Sequence, residues 1–143
     1  MSEWRFDTEP TEDDLKFLDN QLEQFNKDAA GKYDFKPLHL IYRDQDDQIA
    51  AGLKSVTGWG WLYISTLWVA ADSRRKGIGT KLLQQAEREA RERGCDYACL
   101  TTFSFQAPRF YERRGYVAFG ILDDYPDGQQ MIFLKKRLPR ERS

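Results

Sequence analysis

Arg74, Arg75 and Lys76 stand directly before Gly77, Ile78, Gly79 and Thr80, and a segment of this kind can hold an anion. An apolar, strand-like run ending in Leu67, Trp68 and Val69 precedes it, and a long amphipathic pattern follows. The basic, glycine-rich stretch therefore falls where a helix begins. The first backbone N–H groups of a helix have no partner within it and point outward. Gly77 and Gly79 carry no Cβ, which lets a ligand approach the backbone and permits positive φ. Three cations add to the positive end of the helix dipole, and a phosphate suits such a junction. Lys76 precedes Gly77 and no lysine stands before Thr80, so the order of a magnesium-nucleotide loop is not met. A dinucleotide fingerprint would need a third glycine. Taken alone, the segment equally describes a basic helix start on a solvated surface.

A second pattern lies further along. Ala107 is followed four positions later by Tyr111 and four later again by Gly115 with Tyr116. The two patterns, in this order, resemble the acetyl-CoA-binding motifs of the GNAT superfamily of N-acetyltransferases, over roughly Ile49 to Leu134. The segment FSFQAPRFYERRGY is similar to a group of small bacterial-type members.

The resemblance implies an α/β (α+β) fold: a mixed, mostly antiparallel sheet of six or seven strands flanked by helices, with residues 1–143 as one domain. It implies acetyl-CoA as co-substrate and no metal. Backbone amides of Lys76, Gly77, Ile78, Gly79 and Thr80 would receive the pyrophosphate, with Arg74, Arg75 and Lys76 supplying charge. The strand end Leu67, Trp68 and Val69 would meet the pantetheine arm through its backbone. Ser104 stands where many relatives carry asparagine, so Ser104, or Gln106 in its place, would make a polar contact to the coenzyme.

Acetyl transfer also needs an acid for the departing thiolate and a route to a neutral amine. By resemblance the acid is Tyr111. A phenol with an ordinary pKa of about 10 can share a proton with a thiol as the C–S bond breaks. The same residue also reads as a packing aromatic beside Phe110. An alkyl amine, with a reference pKa of about 10.4, must lose a proton before it attacks. Many relatives place a glutamate on the strand before the first motif, whereas here that strand is WLYISTLWV, without an acid. A water held by Tyr63, Ser65 or Thr66 is one candidate base, and Asp123 or Asp124 another.

Asp123, Asp124 and Asp127 lie in a late loop that borders the acceptor cleft in relatives. Such acids would draw a cationic amine, which makes a primary amine of a small molecule the expected acceptor; solvated turn acids are the plainer reading. Cys95 and Cys99 lie outside both motifs, which favours direct attack over an acyl-enzyme. Three other functions stay open: acetylation of a protein N-terminus or lysine, a CoA-binding sensor without turnover, and binding of another phosphorylated ligand.

Twenty-two basic against 23 acidic residues leave a net charge of −1, so no basic excess points to nucleic acid. His39 is the single histidine and cannot build a histidine metal site. The two cysteines form no CxxC and read as free thiols of a reducing cytosol. MSEWRFDTEP lacks the pattern of a secretory signal and no run is long enough to span a bilayer, so a soluble, cytoplasmic protein is expected.

The elements that must position these residues follow from periodicity and punctuation. Trp4 to Phe6 reads as a short strand, and Pro10 and Thr11 announce a helix carrying Leu15, Leu18, Leu22 and Phe25. In relatives this region lies over the acceptor cleft. Gly31 to Pro37 reads as a linker or lid, with Tyr33 and Phe35 as packing residues or acceptor contacts. His39 to Tyr42, Ile49 to Val56 and Trp59 to Val69 read as strands, with a turn at Thr57-Gly58 and, in the last strand, apolar side chains on both faces. The helix after Gly79 turns Leu82, Leu83, Ala86 and Ala90 inward. Glu87 and Glu89 are expected on its wet face, paired with Arg91 and Arg93, with Gly94 as the C-cap. Tyr97 to Thr102 is a strand and Pro108 to Arg114 a short helix. Tyr116 to Leu122 and Met131 to Leu134 close the sheet as an antiparallel pair. The latter is expected at an edge, where a homodimer could form, with a frayed tail from Lys135 to Ser143.

Overall fold

The computed structural model describes residues 3–140. The chain divides into two units, residues 1–33 and 34–143. In the first, helix α1 (Glu12–Ala30) opens on a reciprocal cap. The Asp14 amide donates to Thr11 Oγ1 at 3.1 Å, and the Thr11 amide donates to Asp14 Oδ2 at 2.9 Å. Two of the helix's orphan donors are thereby satisfied, and Gly31 closes the helix with φ 79°. Trp4 to Phe6 forms no strand, because no neighbouring segment supplies the ladder hydrogen bonds that three isolated residues would need.

The second unit is built on seven strands: β1 (Lys36–Pro37), β2 (Leu40–Arg43), β3 (Ile49–Gly58), β4 (Trp61–Val69), β5 (Tyr97–Phe103), β6 (Val117–Asp123) and β7 (Gln130–Arg137). They run in the order β1-β3-β4-β5-β7-β6, with β2 also on β3, and every pairing is antiparallel except β4 with β5. Helix α2 (Ile78–Glu92) forms the crossover between those parallel strands, as a parallel connection requires. Helix α3 (Pro108–Glu112) follows β5. Leu53, Leu62, Leu83, Leu100 and Leu134 form the centre of the core.

Several elements differ from the sequence reading for identifiable reasons. The β3–β4 turn lies at Trp59-Gly60, both at positive φ (50° and 83°), not at Thr57-Gly58. Two such residues make the turn whose twist matches a hairpin. Gly58 remains in the strand, paired with Trp61, and a Cβ there would stand 2.3 Å from the Phe35 ring, so Phe35 is a packing residue. One face of β4 is buried through Leu62 and Ile64, but Tyr63 on the other is exposed. β7, which contains Met131 to Leu134, is interior, and β6 is the edge. The residues after Leu134 continue β7 to Arg137, and Leu138 is buried; residues 141–143 lie outside the described range.

The largest revision concerns α2. Leu82, Leu83, Ala86 and Ala90 face inward as expected, but Glu87 is buried with them. Its carboxylate accepts from Tyr116 Oη at 2.8 Å and from Lys136 Nζ at 2.9 Å. Arg91 pairs with Asp96 at 2.6 Å, and Arg93 donates to Lys36 O, Pro37 O and Thr57 Oγ1, in place of the helical pairs. Charges spaced for surface pairing are thus drawn to partners on strands and on the segments that lead into them, which a helix-only reading does not contain.

Two stability outcomes follow. Leu53→Ala should lower the unfolding free energy by about 2–5 kcal/mol in urea denaturation, since Leu53 is fully buried and truncation leaves a cavity. Glu87→Ala should cost about 3–5 kcal/mol by stranding a buried ammonium, and combining Glu87→Leu with Lys136→Met and Tyr116→Phe, which removes the hydroxyl that also bonds Glu87, should recover most of that loss.

Candidate active site

β4 and β5 pair for only four residues, from Trp61↔Tyr97 to Ile64↔Leu100. Beyond that point β5 stays on β7 as far as Phe103↔Met131, while β4 continues along β3 to Val69. The β3–β4 register shifts where Lys54 meets Thr66 and Ser55 meets Ile64, which leaves Ser65 as a bulge. Ser65 Oγ donates to Lys54 O at 3.2 Å. A bulge bends and twists its strand, and this one lies where β4 leaves β5. The strands splay around a cleft of about 930 Å³.

One wall of the cleft is the start of α2. A short 3-10 turn (Ala71–Ser73) leads from β4 into Arg74 and Arg75. Gly77 is the N-cap, with φ 78°, and a Cβ built on it would meet nothing within 4 Å. No side chain caps this helix and no acid lies in its first turn, in contrast to α1. The first intrahelical donor is the Lys81 amide, to Gly77 O at 3.1 Å. The amides of Ile78, Gly79 and Thr80 precede it and keep the open, positive character of a bare helix start.

The expected coenzyme contacts are brought together with two exceptions. Leu67, Trp68, Val69, Arg74, Arg75, Gly77, Ile78, Gly79, Thr80, Gln106 and Tyr111 all line this cleft; Lys76 and Ser104 do not. Arg74 Nε donates to Val69 O at 3.0 Å, tying the loop back to the strand end. Gly79 has no positive φ, and a Cβ there would lie at ordinary distance, 3.4 Å, from Phe110. Ser104 Oγ donates to Gln129 Oε1 at 2.6 Å and accepts from the Gln130 amide at 2.9 Å, so its polar groups are used within the fold.

Tyr111 is 8% exposed and faces the cleft from α3. Its ring stands edge-on to Phe110 and Tyr116, at centroid distances of 5.2 and 5.9 Å. The Tyr116 amide donates to Tyr111 O at 3.1 Å. Burial pushes the Tyr111 phenol above its ordinary pKa, because desolvation disfavours the phenolate. Tyr116 is raised further, by burial and by the Glu87 carboxylate beside it.

Among the described residues no carboxylate lines the cleft. Ser65 and Thr66 do line it, whereas Tyr63, Asp123 and Asp124 do not. Asp123 Oδ1 accepts from Gln130 Nε2 at 3.0 Å and Asp124 Oδ1 from the Gly128 amide at 3.2 Å. Cys95 and Cys99 are free thiols, both raised in pKa chiefly by burial, and neither lines the cleft. No group of three or more His, Cys, Asp or Glu among the described residues could hold a metal ion.

Arg113 and Arg114 also line the cleft, and the sequence reading assigned them nothing. Arg114 Nε donates to Thr80 Oγ1 at 2.8 Å, its Nη2 bonds the same oxygen, and its Nη1 donates to Phe110 O at 2.8 Å. Its guanidinium lies 3.8 Å from the Phe110 ring centroid. This side chain joins the end of α3 to the first turn of α2, and the doubled arginine before Gly115 was its available signal.

Comparison with known proteins agrees with this arrangement. Residues 1–116 match the model of the acetyltransferase (GNAT) family. Over 122 residues the chain is 38% identical to acetyltransferase Atu2258 of Agrobacterium fabrum, covering 85% of this chain and 89% of that protein. It is 41% identical over 92 residues to blasticidin-S acetyltransferase of Streptomyces morookaense, covering 64% and 68% of the two chains. The crystal structure of an acetyltransferase from Bacillus cereus superposes with a TM-score of 0.84 at 31% identity, covering 94% of this chain and 98% of that one. A splayed parallel strand pair, a bare basic helix start and a tyrosine set between them thus occur in a chain that belongs to the acetyltransferase (GNAT) family and is an N-acetyltransferase.

Proposed function

We propose that this chain transfers the acetyl group of acetyl-CoA to a primary amine of a small molecule, by direct attack of the amine on the thioester. The observation that carries the reading is the cleft itself. An uncapped, basic helix start and the protonated phenol of Tyr111 both line it. A matching relative bears the name of a small-molecule acetyltransferase, blasticidin-S acetyltransferase, which supports an acceptor of that size.

In this reading the amides of Ile78, Gly79 and Thr80 receive the pyrophosphate, with Arg74 and Arg75 at the loop and the open space above Gly77 admitting it. The unpaired edge of β4 from Ser65 to Val69 gives the pantetheine arm a backbone to lie along. The amine nitrogen forms a bond to the thioester carbon, the C–S bond breaks, and the departing sulfur takes the proton of Tyr111. The amine's own proton passes to water held at Ser65 and Thr66, in the absence of a carboxylate in the lining, and the Tyr111 phenolate regains a proton from solvent. Burial of Tyr111 suits the role, because an acid must still hold its proton when its turn comes.

Two outcomes test the reading. Acetyl-CoA at about a hundred times its dissociation constant should stabilise the protein by roughly 2.7 kcal/mol in thermal unfolding. Gly79→Trp should abolish that shift, and a shift kept by this variant would contradict the assignment of the helix start. Tyr111→Phe should keep the shift yet cut thiol release by about a hundredfold or more. The pH profile carries a sign as well. Protonated Tyr111 is the active form and its pKa is raised, so kcat should climb as the amine deprotonates and should not fall as pH reaches about 10, where an ordinary phenol loses its proton. A fall already below that pH would exclude Tyr111 as the acid.

A further inference from the structure

Phe105 is 57% exposed at the cleft wall, yet it is not loosely held. Its ring stacks on Phe103 with centroids 5.3 Å apart and planes 10° apart. Phe103 stacks in turn with Tyr125 at 5.7 Å and 25°. The segment carrying Phe105 is fixed on both sides. The Phe103 amide donates to Gln106 Oε1 at 3.0 Å, and the Gln106 amide returns to Phe103 O at 2.9 Å. The Ser104 amide donates to Gln130 O at 2.9 Å, and its hydroxyl bridges Gln129 and the Gln130 amide. The chain thus holds a large apolar ring in water by a dense set of hydrogen bonds and two ring stacks. A preorganised exposed aromatic at the rim of a cleft is the form of a binding anchor, since little ordering entropy is left to lose on contact.

The loop at the other end of the ladder adds charge. Tyr125 sits between Asp124 and Pro126, with Asp123 and Asp127 close by in the chain. Asp123 and Asp124 lie outside the cleft lining and accept from neutral donors, an amide side chain and a backbone N–H. Trp68, which also lines the cleft, is half exposed. A flat conjugated ring matches these ring faces by offset stacking, and an ammonium group carried on it is attracted by the acidic loop beside Tyr125.

We infer that Phe105, backed by Phe103 and Tyr125, is the acceptor platform, and that the acceptor is a primary amine borne on a planar, conjugated ring. This deepens the proposed function and rests on its placement of the reaction in this cleft. It also gives Ser104 and Gln106 a role: they hold the platform.

The test uses a matched pair of amines, benzylamine and cyclohexylmethylamine, alike in size and charge but flat in one and puckered in the other. Two readouts are taken on the wild type and on Phe105→Leu. In saturation-transfer NMR on the protein with CoA bound, the benzylamine ring protons should receive strong transfer that Phe105→Leu removes. In thiol release, KM for benzylamine should be about tenfold below that for cyclohexylmethylamine, and Phe105→Leu should erase the difference while leaving the acetyl-CoA melting shift intact. Phe105→Tyr should retain it. Ring transfer without thiol release from either amine would support the platform and count against turnover. Equal use of both amines with Phe105→Leu silent, or no ring transfer in the wild type, would overturn the platform while leaving the transferase reading standing.

Discussion

Everything in the candidate site depends on one pair of parallel strands parting company. A strand cannot leave its neighbour cheaply, because each lost rung exposes a backbone donor and acceptor that must find other partners. Here β3 keeps β4 and β7 keeps β5, each ladder continuing past the last β4–β5 rung at Ile64↔Leu100. Both strands remain supported on their outer sides while their facing edges open. The bulge at Ser65 supplies the local twist. Backbone groups along the opened edge then face a cleft where a ligand can complete the sheet.

The two helices at the cleft are fixed by different means. α2 is held by its buried stripe and by Glu87, whose carboxylate accepts from Tyr116 and Lys136. α3, five residues long, packs on the core through Phe110 and Tyr111. It is held at its end by Arg114, which reaches Thr80 and stacks on Phe110, and by the link from Tyr116 to Tyr111. The phenol and the bare helix start are thereby parts of one braced corner.

Much of this was legible in the residues. The Arg74 to Thr80 junction and the Ala107, Tyr111, Gly115 spacing are local signals, and local geometry decides them. The strand and helix series was readable for the same reason, since periodicity and glycine punctuation act over a few residues. What stayed hidden depends on contacts between distant segments. Glu87 looks like any solvated helix charge until β6 and β7 bring Tyr116 and Lys136 under it. Ser104 looks like a coenzyme contact until Gln129 and Gln130 are seen to take its hydroxyl. Met131 to Leu134 looked like an edge because sequence order placed it last, whereas the sheet inserts β7 between β5 and β6. Arg113 and Arg114 were overlooked because a charged pair at a helix end has a bland local explanation.

The central claim is that a ligand enters between β4 and β5 and closes on the start of α2. Amide hydrogen exchange with and without acetyl-CoA tests it most directly, because it reads the backbone groups on which the claim rests. Slowed exchange confined to the β4 segment from Ser65 to Val69 and to Gly77 through Thr80 is the predicted result. Protection elsewhere in the sheet, with these two segments unchanged, would contradict the account.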